Sequence, residues 1–139
     1  MMLNGTTCME ILRIEATEKT PFVCLNAQTG KLEISGKSIP QDAETFYAPV
    51  LSWMEKYIEE PGNHTEVILN LEYFNISSSK RILFLLYKLN ELADKNVKVN
   101  IKWYYAENDD DMKEVGHDFA FMVKVPFEFI NKSKAALAS

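Results

Sequence analysis

The 139-residue sequence predicts an α/β fold: a two-layer sandwich in which a mixed sheet of about five or six strands carries about three helices on one face. Strand-like segments alternate apolar with polar residues, most clearly at 97–105, whereas a strand buried on both faces would be continuously apolar. Each strand therefore shows one face to water, which argues against a doubly wound sheet. The longest helical segment lies between two such strands, and a crossover of this length makes those strands parallel.

The composition is typical of a single globular domain over residues 1–139, with 47% hydrophobic residues and a formal net charge of −5. Mild acidity disfavours general binding to nucleic acid or to anionic membranes, because the long-range field repels phosphate. We find no secretory signal and no apolar segment of membrane length, and Cys8 and Cys24 do not make a disulfide framework. We therefore expect a cytoplasmic protein with a flexible leader at 1–10 and a tail at 131–139.

The first third of the chain is predicted to contain a β-hairpin followed by a helix. The β-type runs at 20–25 and 32–35 are separated by a loop that contains glycine, and 11–16 is either a further strand or part of the leader. Asp42 is the expected N-cap of the helix, which ends before Pro61. Because Pro49 lies inside this helical pattern, the helix either begins at 48–49 or kinks there.

The rest of the chain is predicted to alternate strands with helices. One face of the next strand carries four apolar residues, Val67, Leu69, Leu71 and Tyr73. The predicted elements that follow are a helix from 77 to about 95, a strand at 97–105, a helix from about 109 to 123 and a strand at 126–130. Phe119, Phe121 and Met122 are expected to anchor the third helix on the core.

A cluster of serines joins the end of a strand to the start of the long helix. This segment, which we call the switch turn, consists of Asn75, Ile76, Ser77, Ser78, Ser79, Lys80 and Arg81. Capping of the first helical turn explains serines at this place. Capping does not explain Lys80 and Arg81, since cations in a first turn oppose the helix dipole. A phosphate here would meet the positive helix end and both cations, so capping and phosphorylation both stay open.

The acidic segment at 107–118 holds six acidic residues and one lysine, and it therefore carries the whole net charge of −5. It lacks the alternating ligands and the glycine of an EF-hand loop, so we predict no metal site, and acids at a helix start are explained by capping. A concentrated negative patch can also steer a basic partner. The candidate partner contacts are Tyr104, on the polar face of its strand, and Asp109, Asp110, Asp111 and Glu114.

Catalytic chemistry is not predicted. We find no nucleophile elbow, paired-carboxylate motif, metal triad or nucleotide-binding loop, and we assign no catalytic residue, cofactor or metal. The polar sheet face around Asn70, Glu72, Asn100 and Lys102 leaves one alternative, an enzyme or small-ligand protein. Solvated sheet residues give the same pattern and are the simpler explanation.

The ordered motifs of the chain resemble the SiaC family of bacterial regulatory phosphoproteins over about residues 20–130. The matching segments are 30–40 (GKLEISGKSIP), 71–75 (LEYFN), 77–80 (SSSK), 103–105 (WYY), several positions within 111–119, and 125–129 (VPFEF). No single segment is decisive, but the ordered set is specific. The family fold is related to the anti-sigma-factor antagonist (STAS) domains, so the resemblance implies a STAS-like sandwich.

The resemblance implies a non-enzymatic signalling switch that acts by binding partner proteins. In the family, a serine/threonine kinase phosphorylates the threonine after the asparagine of the switch turn, and a phosphatase removes the phosphate. The unmodified form binds and activates a diguanylate cyclase, which couples the switch to cyclic-di-GMP and biofilm behaviour. The corresponding residue here is Ile76, so either Ser77 or Ser78 takes the phosphate, or the protein is locked in one state, or an engineered change is present. A STAS-type anti-sigma-factor antagonist is the alternative function.

Overall fold

Six strands form one mixed sheet in the computed structural model, which describes residues 9–133. The strands are β1 (Leu12–Ile14), β2 (Phe22–Asn26), β3 (Lys31–Ser38), β4 (His64–Phe74), β5 (Lys98–Tyr105) and β6 (Phe127–Asn131). They lie side by side in chain order. The first three strands pair antiparallel, and β3, β4, β5 and β6 pair parallel. The predicted mixed sheet is therefore confirmed.

Three helices connect the parallel strands, α1 (Ala43–Glu59), α2 (Ile76–Asp94) and α3 (Asp110–Met122). Each helix joins two neighbouring parallel strands in the same spatial order, so right-handed crossovers place all three on one face of the sheet. Burial along β4 agrees, because Val67, Leu69 and Leu71 are buried while Ile68 and Asn70 are only partly covered. The predicted two-layer sandwich is confirmed, and we call the uncovered side of the sheet the open face.

The core lies between the sheet and the helices. Its largest fully buried side chains are Trp103, Tyr47, Tyr57, Leu25, Ile34, Met54, Leu69, Leu71, Ile82, Leu86, Leu89 and Leu92. The α2 members recur at the spacing of an amphipathic helix, and they face the sheet and α1. This packing fixes the position of the switch turn, because the turn continues directly into α2.

The N-terminus of α1 is capped as predicted. The Asp42 carboxylate accepts hydrogen bonds from Thr45 N at 3.2 Å and from Thr45 Oγ1 at 2.8 Å. These bonds hold the pKa of Asp42 below its usual value. The helix continues through Pro49, so a start at 48–49 is wrong. Pro49 and Thr45 are both exposed, so the helical hydrogen bond that the proline removes is lost on the exposed face of α1.

A β-bulge interrupts the pairing of β3 with β4. Gly36 pairs with Leu71, with a positive φ of 108° that glycine adopts without strain. The next residue, Lys37, pairs with Tyr73 rather than with Glu72. Glu72 therefore has no residue opposite it in the neighbouring strand.

The bulge reverses which side chains at the end of β4 face the core. Tyr73, predicted on the same face as Leu71, is 57% exposed. Phe74 turns inward instead, with its ring centroid 6.4 Å from that of Trp103 and 6.3 Å from that of Phe119. A one-residue register shift moves side chains to the opposite face of a sheet, and this shift places a tyrosine beside the switch turn.

Helix α3 packs through Phe119, as predicted, but not through Phe121 or Met122. Met112, Gly116 and Phe119 are its buried residues, four and three positions apart. Phe121 is 95% exposed and Met122 is 52% exposed, so their predicted anchoring role is wrong.

A glycine allows α3 to lie directly on the indole of Trp103. A Cβ atom at Gly116 would come within 2.5 Å of Trp103 Nε1. The same indole nitrogen donates a hydrogen bond to the Met112 carbonyl at 3.0 Å. A close helix approach therefore satisfies a buried polar group that would otherwise lack an acceptor.

Both predicted terminal segments differ from the structure at their inner ends. Trp53 Nε1 donates a hydrogen bond to the Glu10 carbonyl at 2.9 Å, and Met9 packs against the core. Residues 9 and 10 are thus held on α1, while the rest of the predicted leader, 1–8, lies outside the described residues. Asn131 pairs with Tyr105 as the last residue of β6. The predicted tail therefore cannot begin at 131, and its residues 134–139 also lie outside the described residues.

Candidate functional site

The switch turn lies at the edge of the sheet where the parallel strands end. Because β3, β4, β5 and β6 point the same way, their carboxyl ends meet at one edge, and α1, α2 and α3 all begin there. The switch turn starts α2, and Asp109, Asp110 and Asp111 start α3. The fold thus brings the two predicted sites to the same edge of the sheet. This edge is where open parallel sheets usually bind their ligands.

Asn75 caps α2 and also holds the switch turn to the end of β3 and to the loop that follows it. Its Oδ1 caps α2 by accepting from Ser78 N at 2.9 Å. Its backbone N–H donates to the Ser38 carbonyl at 3.0 Å, and its Nδ2 donates to the Pro40 carbonyl at 3.4 Å. Asn75 is therefore fixed by its contacts with α2, with β3 and with the loop after β3.

The three serines of the turn occupy different environments. Ser78 is fully buried. Ser79 is partly covered, and its Oγ donates to the Ile76 carbonyl at 2.9 Å. Ser77 is exposed at the second position of α2, next to Ile76, which is 89% exposed. The Ser77 hydroxyl is therefore accessible from solvent, and that of Ser78 is not.

Ser78 belongs to a buried chain of hydroxyl groups. Its Oγ donates to the Ser38 carbonyl at 3.0 Å, and Ser38 Oγ donates to Ser78 Oγ at 2.8 Å. Since the Ser38 proton is used there, Tyr47 Oη donates to Ser38 Oγ at 2.7 Å. Burial raises the pKa of Tyr47 to about 12, against a smaller opposing effect of the Ser38 hydrogen bond, so the phenol keeps its proton. We call Ser38, Tyr47 and Ser78 the hydroxyl network.

Sequence reasoning missed this network although part of it was visible. Ser78 precedes Ile82 by four residues and Leu85 by seven, so it lies on the buried stripe of α2. That periodicity identifies Ser78 as a buried residue from sequence alone. Its partners Ser38 and Tyr47 are more than thirty positions away in the chain, and no local pattern indicates them.

The basic pair of the switch turn has two different surroundings. Arg81 is partly buried, with its Nη2 3.9 Å from Glu44 Oε1 and its guanidinium 5.3 Å from the Phe84 ring centroid. Packing against α1 therefore accounts for Arg81. Lys80 is exposed, and its Nζ lies 5.9 Å from the same ring centroid. Lys80 remains a cation that is free to approach an anion at the helix start.

The predicted contacts in the acidic segment separate into two groups. Asp109 caps α3, since its Oδ1 accepts from Met112 N at 3.0 Å, whereas Asp110, Asp111 and Glu114 are exposed. Tyr104 lies on the open face and is partly covered. The acidic side chains therefore share an edge with the switch turn, and Tyr104 does not lie on the helix side with them.

Two exposed apolar side chains flank Asn75. Tyr73 and Ile76 are 57% and 89% exposed, on either side of the cap. Large apolar side chains exposed together at a strand–helix junction are typical of protein contact surfaces. Tyr73 was not a predicted contact, because the bulge that exposes it has no clear sequence signal.

Within residues 9–133, no group of three or more His, Cys, Asp or Glu residues is placed to hold a metal ion. His117 stacks on Phe129 with 3.9 Å between ring centroids, and His64 Nε2 lies 3.2 Å from Asn100 Oδ1. None of the helices in that part of the chain is long and apolar enough to cross a membrane.

Comparison with known proteins agrees with this geometry. The model of the SiaC family of regulatory phosphoproteins matches residues 14–132. This chain belongs to the SiaC family. A Pseudomonas aeruginosa protein from strain UCBPP-PA14 is 28% identical over 119 residues, which cover 86% of this chain and 94% of that protein.

Solved structures of SiaC from Pseudomonas aeruginosa share the fold. The apo-SiaC crystal structure is 27% identical with a TM-score of 0.80, covering 88% of this chain and 99% of that one. SiaC crystallised in complex with the diguanylate cyclase SiaD, of which it is the activator, has a TM-score of 0.82 at 27% identity. That match covers 86% of this chain and 98% of the other. The predicted family is thus confirmed, and the two-layer sandwich is that of the SiaC structures.

Proposed function

We propose that this SiaC-family chain is a non-enzymatic partner switch. In its unmodified form it binds and activates a diguanylate cyclase, and a serine/threonine kinase and phosphatase add and remove a phosphate at the switch turn. The SiaC structure in complex with SiaD, similar to this chain over 86% of its length, supports the cyclase as partner. Because these partners use ATP and GTP, we place the switch in the cytoplasm.

One observation carries the proposal: a rigidly held turn presents Ile76 and Ser77 to solvent at the start of α2. Asn75 and the hydroxyl network hold the turn on its buried side. Its outer surface is apolar at Ile76, and the exposed Tyr73 at the end of β4 extends that apolar surface. A partner that covers this surface desolvates it, and a phosphate within it would oppose that desolvation.

We assign the phosphate to Ser77. Ile76 has no hydroxyl, Ser78 is buried in the hydroxyl network, and Ser79 donates its proton to the Ile76 carbonyl. A phosphate on Ser77 would add a charge of about −1.5 to −2 at the positive end of α2. Lys80, three residues later on the same helical face, is the cation within its reach.

The phosphorylation assignment is tested with the kinase of the same organism, ATP and site-resolved mass spectrometry. We expect phosphate on Ser77 in the wild type and none on Ser77→Ala. Ser79→Ala is the matched control and should be modified like the wild type. If the wild type stays unmodified while Ile76→Thr is phosphorylated, Ser77 is not an acceptor and the natural chain is locked in its unmodified state.

The partner assignment is tested by cyclic-di-GMP synthesis with the diguanylate cyclase of the same organism. The wild type should increase cyclic-di-GMP formation from GTP, and Ser77→Asp should weaken this activation. Ser79→Ala again serves as the control with unchanged activation. Binding to an ATPase-type anti-sigma kinase without any effect on the cyclase would instead establish the STAS-type antagonist function.

A further inference from the structure

A cavity of about 650 Å³ opens at the carboxyl edge of the sheet, between the ends of β3 and β4 and the loop that leads into α3. Its polar and aromatic lining comes from Phe22, Ser35, Asn70, Glu72, Asp109 and Lys132. This volume lies within the range of small-molecule sites, which is about 300–1,000 Å³. The cavity is therefore large enough for a compound of amino-acid size.

The cavity exists because small residues surround the β-bulge. Gly36, Ala16 and Ala106 line it and place little or no side chain in its space. The bulge also leaves Glu72 without a residue opposite in β3. Bulges often redirect side chains at functional sites, and this one sets a carboxylate at the cavity wall.

Asn70 on β4 lines the same cavity and carries an unsatisfied buried acceptor. Among the described residues, no group donates a hydrogen bond to its Oδ1, and that oxygen is shielded from solvent. A buried unpaired acceptor is unfavourable. The terminal torsion of an asparagine is soft, so the amide can turn toward a donor in the cavity and exchange an unpaired oxygen for a paired one.

The charges around the cavity favour a ligand rich in hydrogen-bond donors. Glu72 and Asp109 provide carboxylates, although Asp109 uses Oδ1 to cap α3, and Lys132 provides one cation. An adjoining cavity of about 480 Å³ shares Glu72 and adds the balanced pair Glu18 and Lys37. Two carboxylates therefore face one cation in the larger cavity.

We propose that this cavity binds a small guanidinium compound, with Asn70 Oδ1 and the Glu72 carboxylate as its acceptors. A guanidinium group presents five N–H donors in one plane and suits a carboxylate and an amide oxygen together. The cavity shares the carboxyl edge of the sheet with the switch turn, but its proposed acceptors, Asn70 and Glu72, are not residues of that turn. Cyclase activation and guanidinium binding can therefore fail independently.

The test titrates the full chain with agmatine and L-arginine by isothermal calorimetry and by amide chemical shifts. Both probes should bind saturably, with the largest shifts at Asn70 and Glu72. L-citrulline, which replaces the guanidinium by a neutral urea group, should bind at least about tenfold more weakly, as expected for the loss of a charge-assisted bond. The proposal is overturned if L-citrulline binds as tightly as the guanidinium probes, or if neither agmatine nor L-arginine binds at millimolar concentration. It is also overturned if the site binds an anion such as acetate and not the guanidinium probes.

Two variants show whether the named acceptors are used. Asn70→Val should lose agmatine affinity at least about tenfold while its melting temperature stays the same or rises, since it removes an unpaired buried oxygen. Asn100→Val, on the same face of β5, is the matched control and should bind like the wild type. Should Asn70→Val fail to fold, Glu72→Gln at an exposed position must show the same loss. Wild-type affinity in the folded variants overturns the assignment.

Discussion

Helices α2 and α3 begin at the same edge of the sheet and are capped in the same way, but they balance the helix dipole differently. Asn75 accepts from Ser78 N at 2.9 Å, and Asp109 accepts from Met112 N at 3.0 Å. The first turn of α3 then contains Asp110 and Asp111, whereas that of α2 contains no acid. Helix α3 thus supplies negative charge to its own positive end, and α2 does not.

This difference indicates where an added phosphate is favourable. At the start of α3 it would meet exposed carboxylates and be repelled. At the start of α2 it would meet the uncompensated end of the helix and Lys80. The electrostatics therefore support the switch turn, rather than the acidic segment, as the place of modification.

The two helix starts are also anchored by different forces. The start of α2 is held by hydrogen bonds among Ser38, Tyr47 and Ser78, and α3 is held by the close approach of Gly116 to Trp103. Packing at van der Waals contact tolerates little added volume. Hydrogen bonding between hydroxyl groups depends on the protons that these groups carry. Added side-chain volume should therefore disturb the packing of α3, whereas high pH should disturb the hydroxyl network at the start of α2.

The largest loss of stability is expected from adding side-chain volume between α3 and the sheet. Gly116→Val places a Cβ within 2.5 Å of the Trp103 indole, so either the helix or a buried ring must move. We expect the free energy of unfolding to fall by about 3 kcal/mol, the upper range for overpacking. Urea denaturation monitored by tryptophan fluorescence measures it.

The control for this substitution lies on the exposed face of the same helix. Glu114→Ala should change the free energy of unfolding by no more than about 0.5 kcal/mol. A Gly116→Val protein as stable as Glu114→Ala would contradict the proposed close packing of α3.

The second-largest expected effect is a loss of stability at alkaline pH, which originates in the hydroxyl network. Burial raises the pKa of Tyr47 from 10.0 to about 12, so the folded state holds the phenol proton more tightly than the unfolded state. The resulting stabilisation is complete below pH 10 and is lost as the pH rises toward 12. Two pKa units correspond to about 2 to 3 kcal/mol.

The measurement compares urea unfolding of the wild type and Tyr47→Phe at a series of pH values through this range. Deprotonation of lysines and of the other tyrosines affects both proteins. The wild type should therefore lose about 2 kcal/mol more than the variant. Parallel pH profiles would show that the Tyr47 phenol is not held as described.

Much of this architecture could be predicted because it depends on local periodicity. Alternation in 97–105 indicated a sheet with one open face, and the apolar stripe of α2 indicated its crossover. The cap at Asp42 was visible because an acid at a helix start has a local function. These signals arise within a few residues of the chain, so a sequence contains them completely.

The details that shape the switch turn are not local. The bulge at Gly36 depends on pairing with β4, and it decides that Tyr73 is exposed while Phe74 packs against the core. Of the three residues predicted to anchor α3, only Phe119 is buried. The close contact with Trp103 is made by Gly116, and a glycine leaves no apolar signal in the sequence. Which serine is accessible follows from the partners of Ser78, which come from distant segments.

The smallest change in stability is expected from reversing the charge of one side chain at the start of each helix, which tests the dipole difference between α2 and α3 directly. Lys80→Glu should stabilise the protein by about 0.5 kcal/mol, because it brings an acid to the uncompensated end of α2. Asp110→Lys should destabilise it by a similar amount, since it removes compensation from α3. Thermal unfolding at low and high salt measures both changes, and salt should reduce them because the side chains are exposed. Changes of the same sign at the two positions would show that the helix starts are electrostatically alike, and the preference of a phosphate for the switch turn would then need another cause.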